Sequence, residues 1–340
     1  MYKLIKLIEN IQNVYTSLDN YIFVDKNDNF YLNGIKESSY MSMYFVLGGH
    51  ILKQNTENKS FLYLNDTLIK DINHSYIFNT YSENGCFYYE NLHYDPKDDK
   101  VKKDIYYHDF NDNSIRLFAK GFSENFQLVL DNNTITFQPR TILKSLSLLT
   151  GEYEWEVDLS EYGEIRSVLA AVQDNLWVLA NDYKNNRHSL LRLDANSGRL
   201  MQVLGEDLKL SDAHVKYIKE KQTLLSFKSS ISTIPSPSTL VEIDAKTGDV
   251  LRNVTVESML EPNLKVGLWQ YQDNQLFFTA NTTMMTTTHI GVLDYNTLAL
   301  LWYIEVPGRK GLLKDIQVST GKIYVLDQVG TLHIFEKESD

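Results

Sequence analysis

One local pattern recurs along this chain and limits what it can fold into: an apolar run, a short polar turn, then a second apolar run. Val168-Leu169-Ala170-Ala171-Val172, Gln173-Asp174-Asn175 and Leu176-Trp177-Val178-Leu179 form one copy, and residues 266–278 around Gln272-Asp273-Asn274 form another. Further copies lie at 14–24, 43–52, 76–89, 126–137, 215–227 and 316–326. Asn, Asp and Gly at the turns tolerate positive φ, as a tight β-hairpin requires. A second hairpin type follows. Leu191-Arg192-Leu193-Asp194-Ala195-Asn196-Ser197-Gly198 aligns with Val241-Glu242-Ile243-Asp244-Ala245-Lys246-Thr247-Gly248, and Gly291-Val292-Leu293-Asp294-Tyr295-Asn296-Thr297-Leu298 is a third copy. Residues 107–113 keep the spacing from Asp109 to the turn, and residues 148–155 read as a shortened version.

Two hairpins per unit give four strands per unit. Units of roughly 42 residues match the blade of a β-propeller. The expectation is all-β: a single propeller over 1–340, built of four-stranded antiparallel blades, eight in number. The first unit, 11–38, has the weakest pattern, and without it the count is seven. The last unit, 312–338, supplies three strands, and the N-terminal strand, 1–9, has no partner of its own. Pairing the two would complete the last blade, close the ring and remove a sheet edge. Residues 11–311 then hold the other seven blades.

Thr150-Gly151-Glu152-Tyr153-Glu154-Trp155 resembles the T-G-x-x-x-W turn of PQQ-like (quinoprotein-type) propeller repeats. The turns at Thr247-Gly248 and Ser197-Gly198 resemble it with the Trp replaced, and Thr297 to Trp302 keeps the Trp without the Gly. The resemblance runs from Leu146 to Trp302 and implies architecture, shared at this level with WD40-like repeats: a tight turn, then an outer strand whose large residue packs between blades. The quinone enzymes of the broader superfamily carry a vicinal disulfide, which a single cysteine, Cys86, forbids.

Other chemistries find little support. Asp25-Lys26-Asn27-Asp28-Asn29 opens like a calcium loop, but Phe30 stands where the turn needs Gly and Lys36 where a bidentate Glu belongs. Residues 109–113 fail the same way, and both read as hairpin turns. The eight histidines show no paired metal-ligand spacing, so neither a metal site nor a cofactor is expected. Cys86 opens a strand and reads as a small buried hydrophobe. Ser319-Thr320-Gly321-Lys322 reads as a turn rather than a phosphate loop, since Ile316 stands where the loop's first Gly belongs. A net charge of −11 argues against nucleic acid. No apolar run reaches the ~18 residues of a membrane helix. Lys6 and Glu9 interrupt the first apolar stretch, so the N-terminus reads as a strand rather than a signal peptide, and the expected location is the cytoplasm.

Insertions on one face of a repeat fold mark its binding side. The longest second-to-third-strand connections are expected at 92–103, 181–188, 229–238 and 281–288. His93, Tyr94 and Lys97 fall in the first, Tyr183 and Arg187 in the second, Pro235 and Pro237 in the third, Met284 and Met285 in the fourth. These are the candidate partner-binding residues of a monomeric, non-enzymatic scaffold or inhibitor-type protein whose partner is either a basic protein or one contacted through Lys-rich loops. The competing expectation is a small-molecule, carbohydrate-binding or hydrolytic site in the central channel. Lys265, His214, Arg166 and Gln127 lie near the starts of inner strands, without an evident acid/base pair.

Overall fold

The computed structural model describes residues 1–17, 20–37, 40–45, 50–55, 60–64, 67–72, 77–82, 85–97, 99–109, 112, 114–123, 125–129, 133–137, 141–185, 187–205, 208, 210, 215–228, 238–282 and 287–338; between 40 and 86 the account is of the backbone. Among the described residues the strands form eight four-stranded antiparallel sheets. Numbered along the chain, sheets 1 to 7 span 11–36, 40–72, 77–122, 125–158, 164–204, 216–255 and 265–305, each a simple up-and-down meander. The weakly patterned first unit is one of them, with strands Ile11–Ser17, Asn20–Asp25, Phe30–Leu32 and Ile35–Lys36. Sheet 8 takes Leu313–Ser319, Lys322–Asp327 and Leu332–Lys337, and its fourth strand is Tyr2–Ile8, paired from Tyr2 opposite Lys337 to Ile8 opposite Leu332.

Burial explains the strand sequences. Second strands lie between neighbours within their sheet and are covered on both faces, so Asn175–Asp182 and Thr223–Phe227 are buried almost throughout. Fourth strands are edges. Leu200–Leu204 and Leu300–Glu305 alternate between half-buried and exposed positions.

Successive sheets pack face to face. Ile218, Leu225 and Phe227 of sheet 6 share one core with Trp269, Leu276 and Phe278 of sheet 7. Similar cores join sheets 3 to 4, 4 to 5, 5 to 6 and 7 to 8, and Tyr324 and Leu332 of sheet 8 pack on Ile11, Val14 and Phe23 of sheet 1. The first strands lie side by side, that of sheet 1 against those of sheets 8 and 2.

The repeated turn has one physical basis. Asp194, Asp244 and Asp294 each end a third strand and accept hydrogen bonds from the backbone N–H groups two and three residues on, at 2.7–3.1 Å. The chain then needs positive φ, which Gly198 (70°) and Gly248 (80°) supply, and Leu298 adopts 57° in their place. The shortened copy is anchored one residue earlier than its sequence suggests: Ser147 Oγ accepts from the N–H groups of Leu149 and Thr150.

These turns also lock each sheet to the one before it. Trp155 donates its indole N–H to the Ala195 carbonyl and Trp177 donates to that of Ala245. Arg116 bonds the Leu148 and Leu149 carbonyls, Arg192 that of Thr247, and Arg252 that of Tyr295. The outer-strand Trp155 thus packs between sheets, and a Cβ at Gly198 would stand 2.4 Å from its ring.

Candidate functional site

Two regions concentrate polar groups that the core does not need. The first is the end of the sheets where second strands pass to third strands. In sheet 3, residues 92–103 are not a loop, as their composition suggests. Strand Gly85–Asp95 pairs with Lys100–Asp109 through His93 opposite Lys102, Tyr94 opposite Val101 and Asp95 opposite Lys100. The first strand starts only opposite Tyr88 and the fourth ends opposite Lys103, so these rungs stand clear as a two-stranded arm. An isolated ribbon is marginal in water. Here Asp95 accepts from the Lys97 N–H and pairs with Lys102 at 2.7 Å, and Tyr94 donates its hydroxyl to Asp99. The Tyr94 ring remains 58% exposed.

Sheet 5 carries the corresponding turn between Asn175–Asp182 and Arg187–Asp194. Asp182 accepts from the N–H groups of Lys184 and Asn185 and from the Asn185 amide. Tyr183 projects, 59% exposed, with the Arg166 guanidinium 5.7 Å from its ring centre. Arg187 bonds the Glu161 carbonyl, approaches Asp182 at 3.7 Å and lines a groove of about 390 Å³ with Tyr162, Val203 and Leu208. Asp25 and Asp327 fold the equivalent turns of sheets 1 and 8 with the same carboxylate-to-backbone bonds. Asp25 to Asn29 is therefore a turn, as read. Pro235, Pro237, Met284 and Met285 lie outside the described residues, as do the side chains of Cys86, Gln127 and His214.

The second region lies on the first strands and escaped the sequence reading. Lys216, on Lys216–Ile218 of sheet 6, donates to the Trp269 carbonyl of sheet 7 at 2.6 Å, with its ammonium 5.2 Å from the Trp269 ring centre. Gln270 of sheet 7 donates to the Ile316 carbonyl of sheet 8, and Gln317 donates to Asp315 on the same strand. Burial pushes the Lys216 amine down to about 8, with Asp315 opposing that fall. Burial likewise pushes the Asp315 carboxyl up. Side chains that link the first strands of three successive sheets point to their common inner side. No local motif marks them, because Lys216 and Asp315 are 99 positions apart in the chain. Among the described residues no group of three or more His, Cys, Asp or Glu side chains could hold a metal ion, and no helix is long and apolar enough to cross a membrane.

No family model and no curated protein matches the chain. Among solved structures, the C-terminal WD40 domain of Sif2 superposes with a TM-score of 0.61 at 11% identity, covering 100% of this chain and 99% of that one. The chain is a β-propeller. BamB from Moraxella catarrhalis is also similar, with a TM-score of 0.42 and 10% identity over 99% of this chain and 100% of that one. At these identities the likeness is one of fold alone, and function has to come from the side chains.

Proposed function

We propose that this β-propeller is a non-enzymatic protein-interaction module, with eight blades closed through the Tyr2–Ile8 strand and a binding face at the second-to-third-strand ends. The carrying observation is the pairing of rigidity with exposure at Tyr94 and Tyr183. Tyr183 projects from a turn whose backbone is fixed by Asp182, and Tyr94 from the last strand rungs before a turn that Asp95 fixes. An aromatic ring held ready in this way loses little conformational entropy on binding, and such rings dominate the energetics of interfaces. Meander topology with first strands side by side supports reading both turns, and the groove edge at Arg187, as parts of one face. The T-G-x-x-x-W turn supports grouping the repeats with the PQQ-like type. A chain of net charge −11 favours a basic partner, bound less tightly as salt rises.

The test is capture from native lysate with wild type beside the double variant Tyr94→Ala, Tyr183→Ala, at two salt concentrations. The reading expects a stoichiometric partner that the variant loses, with retention falling as salt rises. A partner held equally by the folded variant would overturn the assignment of this face.

A further inference from the structure

Each sheet ends outward in a fourth strand, and among the described residues no strand pairs with its far side. An open edge of this kind recruits strands from other chains unless something prevents it, and a charged side chain on the edge is a common device. Lys3 and Lys6 stand on the edge of sheet 8, Glu154 and Glu156 on that of sheet 4, Arg252 on that of sheet 6 and Glu305 on that of sheet 7. The edges of sheets 1 to 3 also carry charge. The edge of sheet 5, Leu200–Leu204, reads Leu-Met-Gln-Val-Leu and has no ionisable residue. Among the described residues it pairs with Arg187–Asp194 on one side and with nothing on the other. Met201 and Val203 are exposed along it. A bulge falls at Met201, so Gln202, Val203 and Leu204 are its regular rungs. Val203 shares a groove with Val250 of sheet 6, whose edge exposes Val250, Leu251 and Val254. The uncharged edge is thus part of an apolar rim that runs over two sheets.

The occupant that fits this edge is a second copy of the same edge. Antiparallel pairing about Val203 sets Gln202 opposite Leu204 and Val203 opposite its own copy, so no charge meets its like. The same operation on sheet 4 would bring Glu154 and Glu156 of two copies together, and on sheet 8 it would do so with Lys3 and Lys6. Two copies of a chain of net charge −11 repel one another, and pairing through the uncharged edge adds no further repulsion between the strands. We propose that the chain forms a twofold homodimer through Leu200–Leu204, in which the two copies of sheet 5 join edge to edge as one eight-stranded sheet. A twofold contact is closed, so assembly stops at the dimer. Three regular rungs make a small contact beside the ~800 Å² per partner of a standard stable interface, so the dimer is reversible and concentration-dependent. The pairing uses the rim rather than the turns that carry Tyr94 and Tyr183, and it replaces the monomer expected from the sequence.

The experiment is sedimentation equilibrium of the full chain over a range of concentrations. Wild type is expected to pass from monomer mass to dimer mass as concentration rises. Val203→Lys and Val203→Glu change an exposed position, so each should melt as cooperatively as wild type. Each should weaken self-association about tenfold or more. Leu301→Lys, on the edge of sheet 7, should leave it unchanged. Mixing Val203→Lys with Val203→Glu should restore a dimer containing one of each, because the twofold axis sets the two residues against one another. Wild type that keeps monomer mass throughout overturns the proposal. Self-association that survives Val203→Lys overturns the assignment to this edge, and a mixture that associates no better than either variant alone overturns the twofold pairing.

Discussion

Replacing Lys216 by Met should make the protein more stable, and the gain should depend on pH. An exposed lysine titrates near 10.5, and burial brings this one down to about 8. The folded state therefore binds fewer protons than the unfolded state between these values. Stability is full above the unfolded value, falls as pH drops through the window, and is flat below it. The loss amounts to about 3 kcal/mol at neutral pH. The bond to the Trp269 carbonyl and the contact with its ring both favour the charged form and so reduce this loss. Methionine fills similar volume and has nothing to ionise. The variant's advantage should grow by about 2 kcal/mol between pH 9.5 and pH 7, with most of the rest lying above pH 9.5. For a chain of 340 residues the full effect is about 4 °C in Tm. Urea or thermal denaturation at the two pH values measures it. A stability difference that stays constant across this range would refute the reasoning, because only a titrating group ties it to pH.

Three further outcomes follow from the packing. Glu242, nearly buried, is held by Arg252 and the Tyr295 hydroxyl, and burial followed by that carboxylate pushes the tyrosine to about 12. Arg252→Met should cost about 3–5 kcal/mol by stranding the carboxylate, whereas the additional change Glu242→Gln should recover part of it; chemical denaturation reads both. Gly198→Ala should cost about 2 kcal/mol or more, from positive φ and the Trp155 ring, with a shift in tryptophan fluorescence. His333 and Asp327 are both fully buried, 3.6 Å apart, and burial holds the imidazole below its ordinary value. The unfolded histidine protonates first, so stability should decline as pH falls below about 6.5. Asp327, held low by its backbone donors, adds a second decline below about 4. His333→Leu should remove the first decline and keep the second, as followed by acid titration of near-UV circular dichroism.

Hairpins were the most legible part of the sequence, because apolar alternation and turn chemistry are local. The Asp194, Asp244 and Asp294 turns align in the sequence itself, and Leu298 in its left-handed position stands there as a missing glycine. The role of Ser147 was hidden, since a hydroxyl takes the place of a carboxylate one residue outside the aligned block. The arm of sheet 3 reads as a loop because its Lys and Asp residues have loop composition. In fact they alternate along a ribbon with water on both faces, where no apolar signal is required. Lys216 and Asp315 are illegible for a different reason: only the placement of sheets 6 to 8 brings their strands to one inner side.

Sheet 8 differs from the rest in its chain bookkeeping. Seven sheets each draw on one contiguous stretch of sequence and can form as that stretch leaves the ribosome. The eighth joins Tyr2–Ile8 to Leu332–Lys337 and must wait until Leu332–Lys337 has been made. Until then Tyr2–Ile8 lacks its partner strand and is able to recruit one from a neighbouring nascent chain. Crowding on a polysome therefore tests this seam more severely than dilute refolding does. The Lys310–Glu9 ion pair and the bond from the Glu338 N–H to the Met1 carbonyl, which bind the same two ends, form only after synthesis has passed them.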